Sequence, residues 1–202
     1  MNLRSLSATL VVMLAAAAVF YWGTDGFRAF TAETARRVEV VDKPRAMPHV
    51  QLLDQMGRMF TLQDLAGDPV IVEFIFTRCQ TVCLSLGALF YQLQNSLPDH
   101  GPASRLQLVT ISFDLDNDDR AALHEWAGRF DADPQRWRVA RPVDEQGLQA
   151  LLEAFGVIVI PDAVHGFEHN VAVHLLDSHG RLAHIDDIQP PERLISLVDR
   201  LQ

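Results

Sequence analysis

The sequence predicts an α/β fold, a central mixed sheet flanked by helices, with a transmembrane helix ahead of it. Three observations carry this. No charged residue occurs across residues 6–22, two nearly continuous apolar runs of strand length stand at residues 69–76 and 106–113, and segments of helical period alternate with those runs. Apolar runs of that length belong to strands buried on both faces, as in a parallel-type sheet covered by helices.

The uncharged stretch follows Arg4 and lies at the short end of a spanning helix, above the length of a signal-peptide core. Ala15 to Ala18 offer small residues for cleavage, but they lie inside the run and are followed by Phe20, Tyr21 and Trp22, which resemble an interfacial belt. Residues 1–23 are therefore expected to be an uncleaved anchor with its N-terminus cytoplasmic. Residues 24–48 read as a polar connector ending in Lys43-Pro44-Arg45-Ala46-Met47-Pro48, whose prolines favour extended chain. The folded domain is then residues 49–202.

Within it, Val50 to Leu53 and Asp54-Gln55-Met56-Gly57-Arg58 predict a strand and turn. The strand at 69–76 is followed by a helix over 82–97, with Leu86, Leu89, Phe90, Leu93 and Leu97 at helical spacing. After the strand at 106–113, Asp116-Asn117-Asp118-Asp119 reads as a solvated N-cap for a helix carrying Leu123, Trp126 and Phe130. A short strand at 137–140 precedes a helix capped by Asp144. A hairpin follows over 171–185, turning at Asp177-Ser178-His179-Gly180, and Pro190-Pro191 opens a terminal amphipathic helix. The order β–α–β–α–(β)–α–β–β–α, with cysteines at the first strand-to-helix junction, is thioredoxin-like.

Charge is uneven. Residues 1–45 hold six basic and four acidic side chains, whereas residues 46–202 hold 11 basic and 22 acidic ones. So acidic a domain has no basic face for phosphate, which sets nucleic acid aside.

Cys79-Gln80-Thr81-Val82-Cys83 contains both cysteines of the chain. A disulfide closing so short a loop removes little entropy from the unfolded chain, so stapling is a poor reason for the pair. A helix N-terminus and Arg78 are expected to favour thiolate, the form that binds metals and attacks disulfides. Spacing alone leaves the chemistry open. Thioredoxin-type oxidoreductases use two intervening residues, and here there are three. Two thiolates at i and i+4 on one helical face suit a soft ion, Cu(I) or zinc, with a third ligand from elsewhere.

The segment Phe76-Thr77-Arg78-Cys79-Gln80-Thr81-Val82-Cys83 resembles the metal-binding loop of the Sco/SenC family of copper-binding cytochrome c oxidase assembly proteins. The likeness extends to the anchor, to Asp54-Gln55-Met56-Gly57, to Val109-Thr110-Ile111-Ser112-Phe113-Asp114, and to Gly166-Phe167-Glu168-His169 ahead of Leu175-Leu176-Asp177-Ser178-His179-Gly180. It implies a thioredoxin-like fold and a copper site of Cys79, Cys83 and His169, holding Cu(I) and in some states Cu(II). It implies as partner the copper-site subunit of the oxidase, or another copper-site apoprotein. It also implies a single-pass protein of a bacterial-type inner membrane with its domain on the periplasmic side. The chain departs from the family loop at Gln80 and Leu84, where prolines are usual, at Thr81, where an acid is common, and at Glu168, where aspartate is usual.

Histidines 165, 169, 174, 179 and 184 crowd one region. By strand alternation His174 points away from Val171, Val173 and Leu175, and His179 and His184 belong to the hairpin. His165, in the loop after Pro161, is the competitor to His169. Glu168 is read as orienting the His169 ring or as a surface charge, and Asp114 as tuning the site or as a polar strand end. Met47, Met56 and Met59 fit packing better than ligation. Two functions follow: a copper chaperone using Cys79, Cys83 and His169, or a thiol–disulfide oxidoreductase in which Cys79 and Cys83 are redox-active and His169 is dispensable. No motif supports a third reading, a peroxide-scavenging enzyme.

Overall fold

The structure, a computed structural model, describes residues 3–200 other than 25, 163 and 165. It divides into two compact units at residues 43 and 44.

In the first unit, α1 (Leu3–Gly23) is one uninterrupted helix. Its 18 residues Leu6–Gly23 have a mean hydropathy of 1.9 and are long and apolar enough to cross a membrane. The stretch read as connector contains a second helix, α2 (Ala32–Asp42). Thr31 caps it by accepting the Thr34 amide at 3.1 Å, and Glu33 binds Arg36 at 2.7 Å and Arg37 at 2.8 Å one turn on.

The second unit is built on an eight-stranded mixed sheet. Its strands are β1 (Arg45–Ala46), β2 (Leu52–Asp54), β3 (Met59–Phe60), β4 (Val70–Ile75), β5 (Gln107–Ser112), β6 (Trp137–Pro142), β9 (Val173–Leu176) and β10 (Arg181–Asp186). The order is β1-β10-β9-β4-β5-β6-β2-β3. The central strands β4, β5 and β6 run parallel, and β9 joins β4 antiparallel. Every residue of β4 is buried, as its unbroken apolar run requires. The strands β7 (Val159–Asp162) and β8 (Gly166–His169) pair only with each other, in a separate two-stranded sheet.

Four helices cover the large sheet: α3 (Val82–Ser96), α4 (Arg120–Arg129), α5 (Glu145–Phe155) and α6 (Pro191–Arg200). On the α3/α4 face Trp137 packs against Phe90 at 5.6 Å and Trp126 at 5.9 Å, and all three are fully buried. On the α5 face Phe155 meets Phe74 at 5.1 Å. Asp119 and Asp144 cap α4 and α5 as their sequences predict, and Gly156 ends α5 in the left-handed conformation at φ 66°.

This topology places the site. The parallel pair β4 and β5 ends at Ile75 and Ser112, which are register partners, so the loop carrying the cysteines and the turn from Asp114 to Asp118 emerge side by side. Carboxyl ends of parallel strands are where α/β sheets build their sites.

Candidate metal and thiol site

The loop between β4 and α3 is held from beneath. Asp118, fully buried, accepts the Thr77 amide at 2.9 Å and the Thr77 hydroxyl at 2.6 Å, and also takes the Ser112 hydroxyl. Sequence had made Asp118 part of a solvated cap. Asp119 does cap α4, taking the Ala122 amide at 2.9 Å, but its neighbour turns inward as the anchor of the loop. The loop is tied a second time by Arg78, which donates to buried Asp114 at 2.8 Å.

The cysteines are not equivalent. The helix begins at Val82, so Cys83 lies in its first turn, and Cys79 lies before it in a turn closed by its own amide on the Phe76 carbonyl at 3.1 Å. The expected pair on one helical face is thus a loop cysteine beside a helix cysteine. Thr81, at the N-cap, makes no side-chain cap hydrogen bond, and its hydroxyl stands 3.8 Å from the Cys79 sulfur. Burial pushes the Cys79 thiol up, but hydrogen bonds from the Cys83 thiol, the Thr81 and Cys83 amides and the Thr81 hydroxyl outweigh it and hold it below the ordinary cysteine range. Cys83 moves far the other way, raised by complete burial and by the hydrogen bond and charge of Cys79. The pair is one thiol held below its ordinary range beside a buried thiol held above it, with no disulfide between them. Arg78, expected to favour the thiolate, spends its guanidinium on Asp114 instead.

Opposite the loop stands the β7–β8 hairpin, with His169 at its last strand position, paired with Val159. Burial pushes the imidazole below its ordinary value, and a hydrogen bond to the Phe74 backbone only partly opposes this, so the ring is neutral at neutral pH. Its Nε2 is buried and has no hydrogen-bond partner among the described residues. Glu168 is exposed, and the hydrogen bond that acts on the ring comes from the Phe74 backbone where Glu168 was a candidate.

Aromatic rings join loop and hairpin. Phe167 packs on Phe76 at 5.3 Å and on Phe113 at 5.5 Å, and Phe113 meets the His169 ring at 5.1 Å. Gly166, at φ 89°, lets the hairpin backbone approach, since a Cβ there would meet the Phe76 ring at 3.4 Å. Sequence reasoning missed these three phenylalanines, whose signal was their place at the end of β4, the end of β5 and two residues before the histidine.

Cys79 and His169 line one cavity of about 530 Å3, together with Arg78, Thr81, Phe167 and Glu168. Cys83 lies behind Cys79 and does not line it. Among the described residues no three His, Cys, Asp or Glu side chains converge closely enough to hold a metal ion. Cys79 and His169 are therefore brought to one cavity from facing elements, and Cys83 does not join them on its lining.

The other histidines are elsewhere. His174, read as pointing away from Val173 and Leu175, is buried against Phe155 at 5.1 Å and Phe74 at 5.7 Å, because β9 is an interior strand covered on both faces. His179 occupies the β9–β10 turn, and His184 lies 3.7 Å from Asp186. His165 lies outside the described residues. Of the methionines, Met47 is buried as packing predicts, whereas Met56 and Met59 are half exposed, on and beside the turn between β2 and β3.

The family model described as SCO1/SenC matches residues 39–202. A SCO1 protein homolog of Bacillus subtilis is 24% identical over 131 residues, covering 64% of this chain and 67% of the relative. Two solved structures share the fold. Bradyrhizobium japonicum ScoI with copper bound has a TM-score of 0.65 at 21% identity, over 78% of this chain and 99% of that one. A SCO1/SenC family lipoprotein from Bacillus anthracis has a TM-score of 0.67 at 24% identity, over 80% and 98%.

Proposed function

The chain belongs to the SCO1/SenC family, and from that premise we propose that it is a membrane-anchored copper carrier serving the dinuclear copper site of cytochrome c oxidase. The observation that carries this is the meeting of Cys79 and His169 on one cavity, with the His169 Nε2 buried and unpartnered among the described residues. A buried imidazole nitrogen without a hydrogen bond costs free energy unless something binds it. Two thiolates and one neutral imidazole form a soft, three-coordinate donor set suited to Cu(I). The copper-bound relative from Bradyrhizobium japonicum supports that choice of metal.

In this reading copper is cargo. Cys79 is ready to bind, Cys83 gives up its proton on binding, and His169 approaches on its hairpin to complete the set. Delivery proceeds by exchange of ligands with an acceptor at the open cavity. The helix α1 anchors the protein in a bacterial-type inner membrane with the second unit on the periplasmic side; the Bacillus anthracis lipoprotein supports anchoring.

The test is an anaerobic Cu(I) titration of the reduced chain against a competing chelator, beside Cys79→Ser, Cys83→Ser and His169→Ala. One copper per chain is expected, lost with either cysteine and bound at least about tenfold more weakly without His169. Binding indifferent to His169 would sink the proposal.

The asymmetry of the thiols favours one second reading. A Cys79 thiol held below its ordinary range, beside a Cys83 thiol held above it, is also the arrangement of a dithiol reductase. Cys79 attacks a partner disulfide and releases one partner thiolate, which takes up a proton. Cys83 loses its proton and attacks the mixed disulfide, leaving a Cys79–Cys83 disulfide and a reduced partner. This chemistry survives His169→Ala, so exchange with a model disulfide at the wild-type rate in a variant whose copper binding is weakened separates the two activities.

A further inference from the structure

The cavity between Cys79 and His169 opens beside a second groove, of about 560 Å3, and Phe167 lines both. Leu152 and Val157 give the groove an apolar floor, and Ile158, on its wall, is 63% exposed. The same hairpin leaves Ile160 and Val164 exposed as well, at 56% and 82%. Large apolar side chains grouped on one short hairpin mark a surface that receives something.

The rim says what. Asp116, Glu145 and Glu153 line the groove with exposed carboxylates, and among the described residues no lysine or arginine lines it. Two cations bonded to its lining residues are already engaged. Arg78 is held by Asp114 at 2.8 Å, and Arg141 donates to the Leu115 carbonyl at 2.8 Å. An apolar channel rimmed by exposed carboxylates, with no lysine or arginine in its described lining, selects an occupant that is itself apolar and cationic. A second copy of this chain is a poor fit, because residues 46–202 carry 22 acidic and 11 basic side chains, so like charges would meet.

We propose that this groove is where the acceptor protein docks, through a segment alternating apolar and basic side chains laid along α5 and β7. The proposal rests on the exchange reading above and names the partner's chemistry. Docking here sets the partner directly beside the cavity of Cys79, and on the hairpin that carries His169. It thus loads the element whose position decides whether the donor set closes. Acidic rim residues also steer a basic partner from a distance, an effect that fades as salt rises.

The test uses the full chain in a neutral detergent and a fluorescein-labelled decapeptide of alternating lysine and leucine, with a glutamate–leucine peptide as its counterpart. Binding is read by anisotropy for three proteins: wild type, Glu145→Lys/Glu153→Lys, and Glu125→Lys/Glu192→Lys. The last makes the same change in net charge on α4 and α6, away from the groove. The groove variant is expected to lose at least about tenfold in affinity for the lysine peptide and to gain the glutamate peptide, with the control within about twofold of wild type. Equal loss in both variants would reduce the effect to bulk charge and overturn the proposal. So would wild-type binding of the glutamate peptide, or a self-association in sedimentation that Ile158→Ser abolishes. Cu(I) titration of the groove variant runs in parallel. Unchanged copper binding assigns any failure to the docking proposal alone, whereas a wild type that binds no copper tells against the carrier reading instead.

Discussion

Asp118 shows how much of the site depends on a single side chain that touches neither sulfur. Its carboxylate accepts two hydrogen bonds from Thr77 and one from Ser112, all out of water. Deleting it leaves buried donors unpaired, each costing about 1–3 kcal/mol. Asp118→Ala is therefore expected to lower the stability measured in urea by at least about 2 kcal/mol. It should also weaken Cu(I) binding, because Thr77 lies within the turn that presents Cys79. Asp118→Asn, which keeps the size and one acceptor, should lose less of both. Unchanged copper affinity in Asp118→Ala, measured where the protein is still folded, would show that Arg78 and Asp114 suffice to hold the loop. Nothing in the sequence separated Asp118 from Asp116 and Asp119. A residue just ahead of a helix has no period to read, so which of four polar neighbours turns inward is decided by the strand ends it packs on. Cys79 and Cys83 drew attention for the opposite reason, since thiols carry chemistry wherever they stand, whereas only the family resemblance singled out His169 among five neighbouring histidines.

At the scale of elements, the parts that run through the core were legible and the parts that close the site were not. The strands β4 and β5 announced themselves because burial on both faces demands an unbroken apolar run. The hairpin β7–β8 has four residues a strand, Pro161 in one and Gly166 in the other, and no buried face to impose alternation, so it read as loop. The helix α2 was hidden likewise by its polar composition and the prolines after it. Yet the hairpin decides where His169 stands. It is held by Asn170, whose side chain takes the Ile158 amide at 2.6 Å and donates to the Gly156 carbonyl at 2.9 Å, and by Phe167 wedged on Phe76 and Phe113. Because β7–β8 is a sheet of its own, loosening it should spare the core. Phe167→Ala is expected to shift Tm by only a few degrees while weakening Cu(I) binding by at least about tenfold. Hydrogen exchange should show faster opening confined to β7 and β8. Exchange that speeds up equally in β4 and β5 would mean that the hairpin is part of the core cooperative unit after all.

For the second unit as a whole, the least expected feature is a carboxyl group at its centre. Glu73 lies in the middle of β4 and is completely buried, accepts the Thr110 hydroxyl at 2.6 Å, and leaves its other oxygen unpartnered. Thr110 in turn accepts the Trp137 indole N–H at 2.9 Å, so the acid ends a polar chain running through an apolar core. Burial pushes its pKa up from 4.5 to about 8, with the Thr110 hydrogen bond pulling the other way. The native state therefore keeps a proton that the unfolded chain gives up. Stability from this group is complete below the unfolded value and is lost as pH rises toward the folded one, across pH 4.5 to about 8. The slope in that window approaches about 1.4 kcal/mol per pH unit. Glu73→Gln cannot ionise and keeps an oxygen for Thr110, so it should match wild type near pH 4.5 and grow more stable than it at each step toward pH 8. Groups shifted downward, such as Asp177 beside Arg181, lose stability as pH falls, but they are common to both proteins and cancel in the comparison. Urea melts of the two proteins across this range decide it. Curves that stay parallel would mean that Glu73 finds a partner for its charge on ionising. Curves that diverge would establish a core kept neutral by a bound proton, close enough to Cys83 that its ionisation would raise that thiol further.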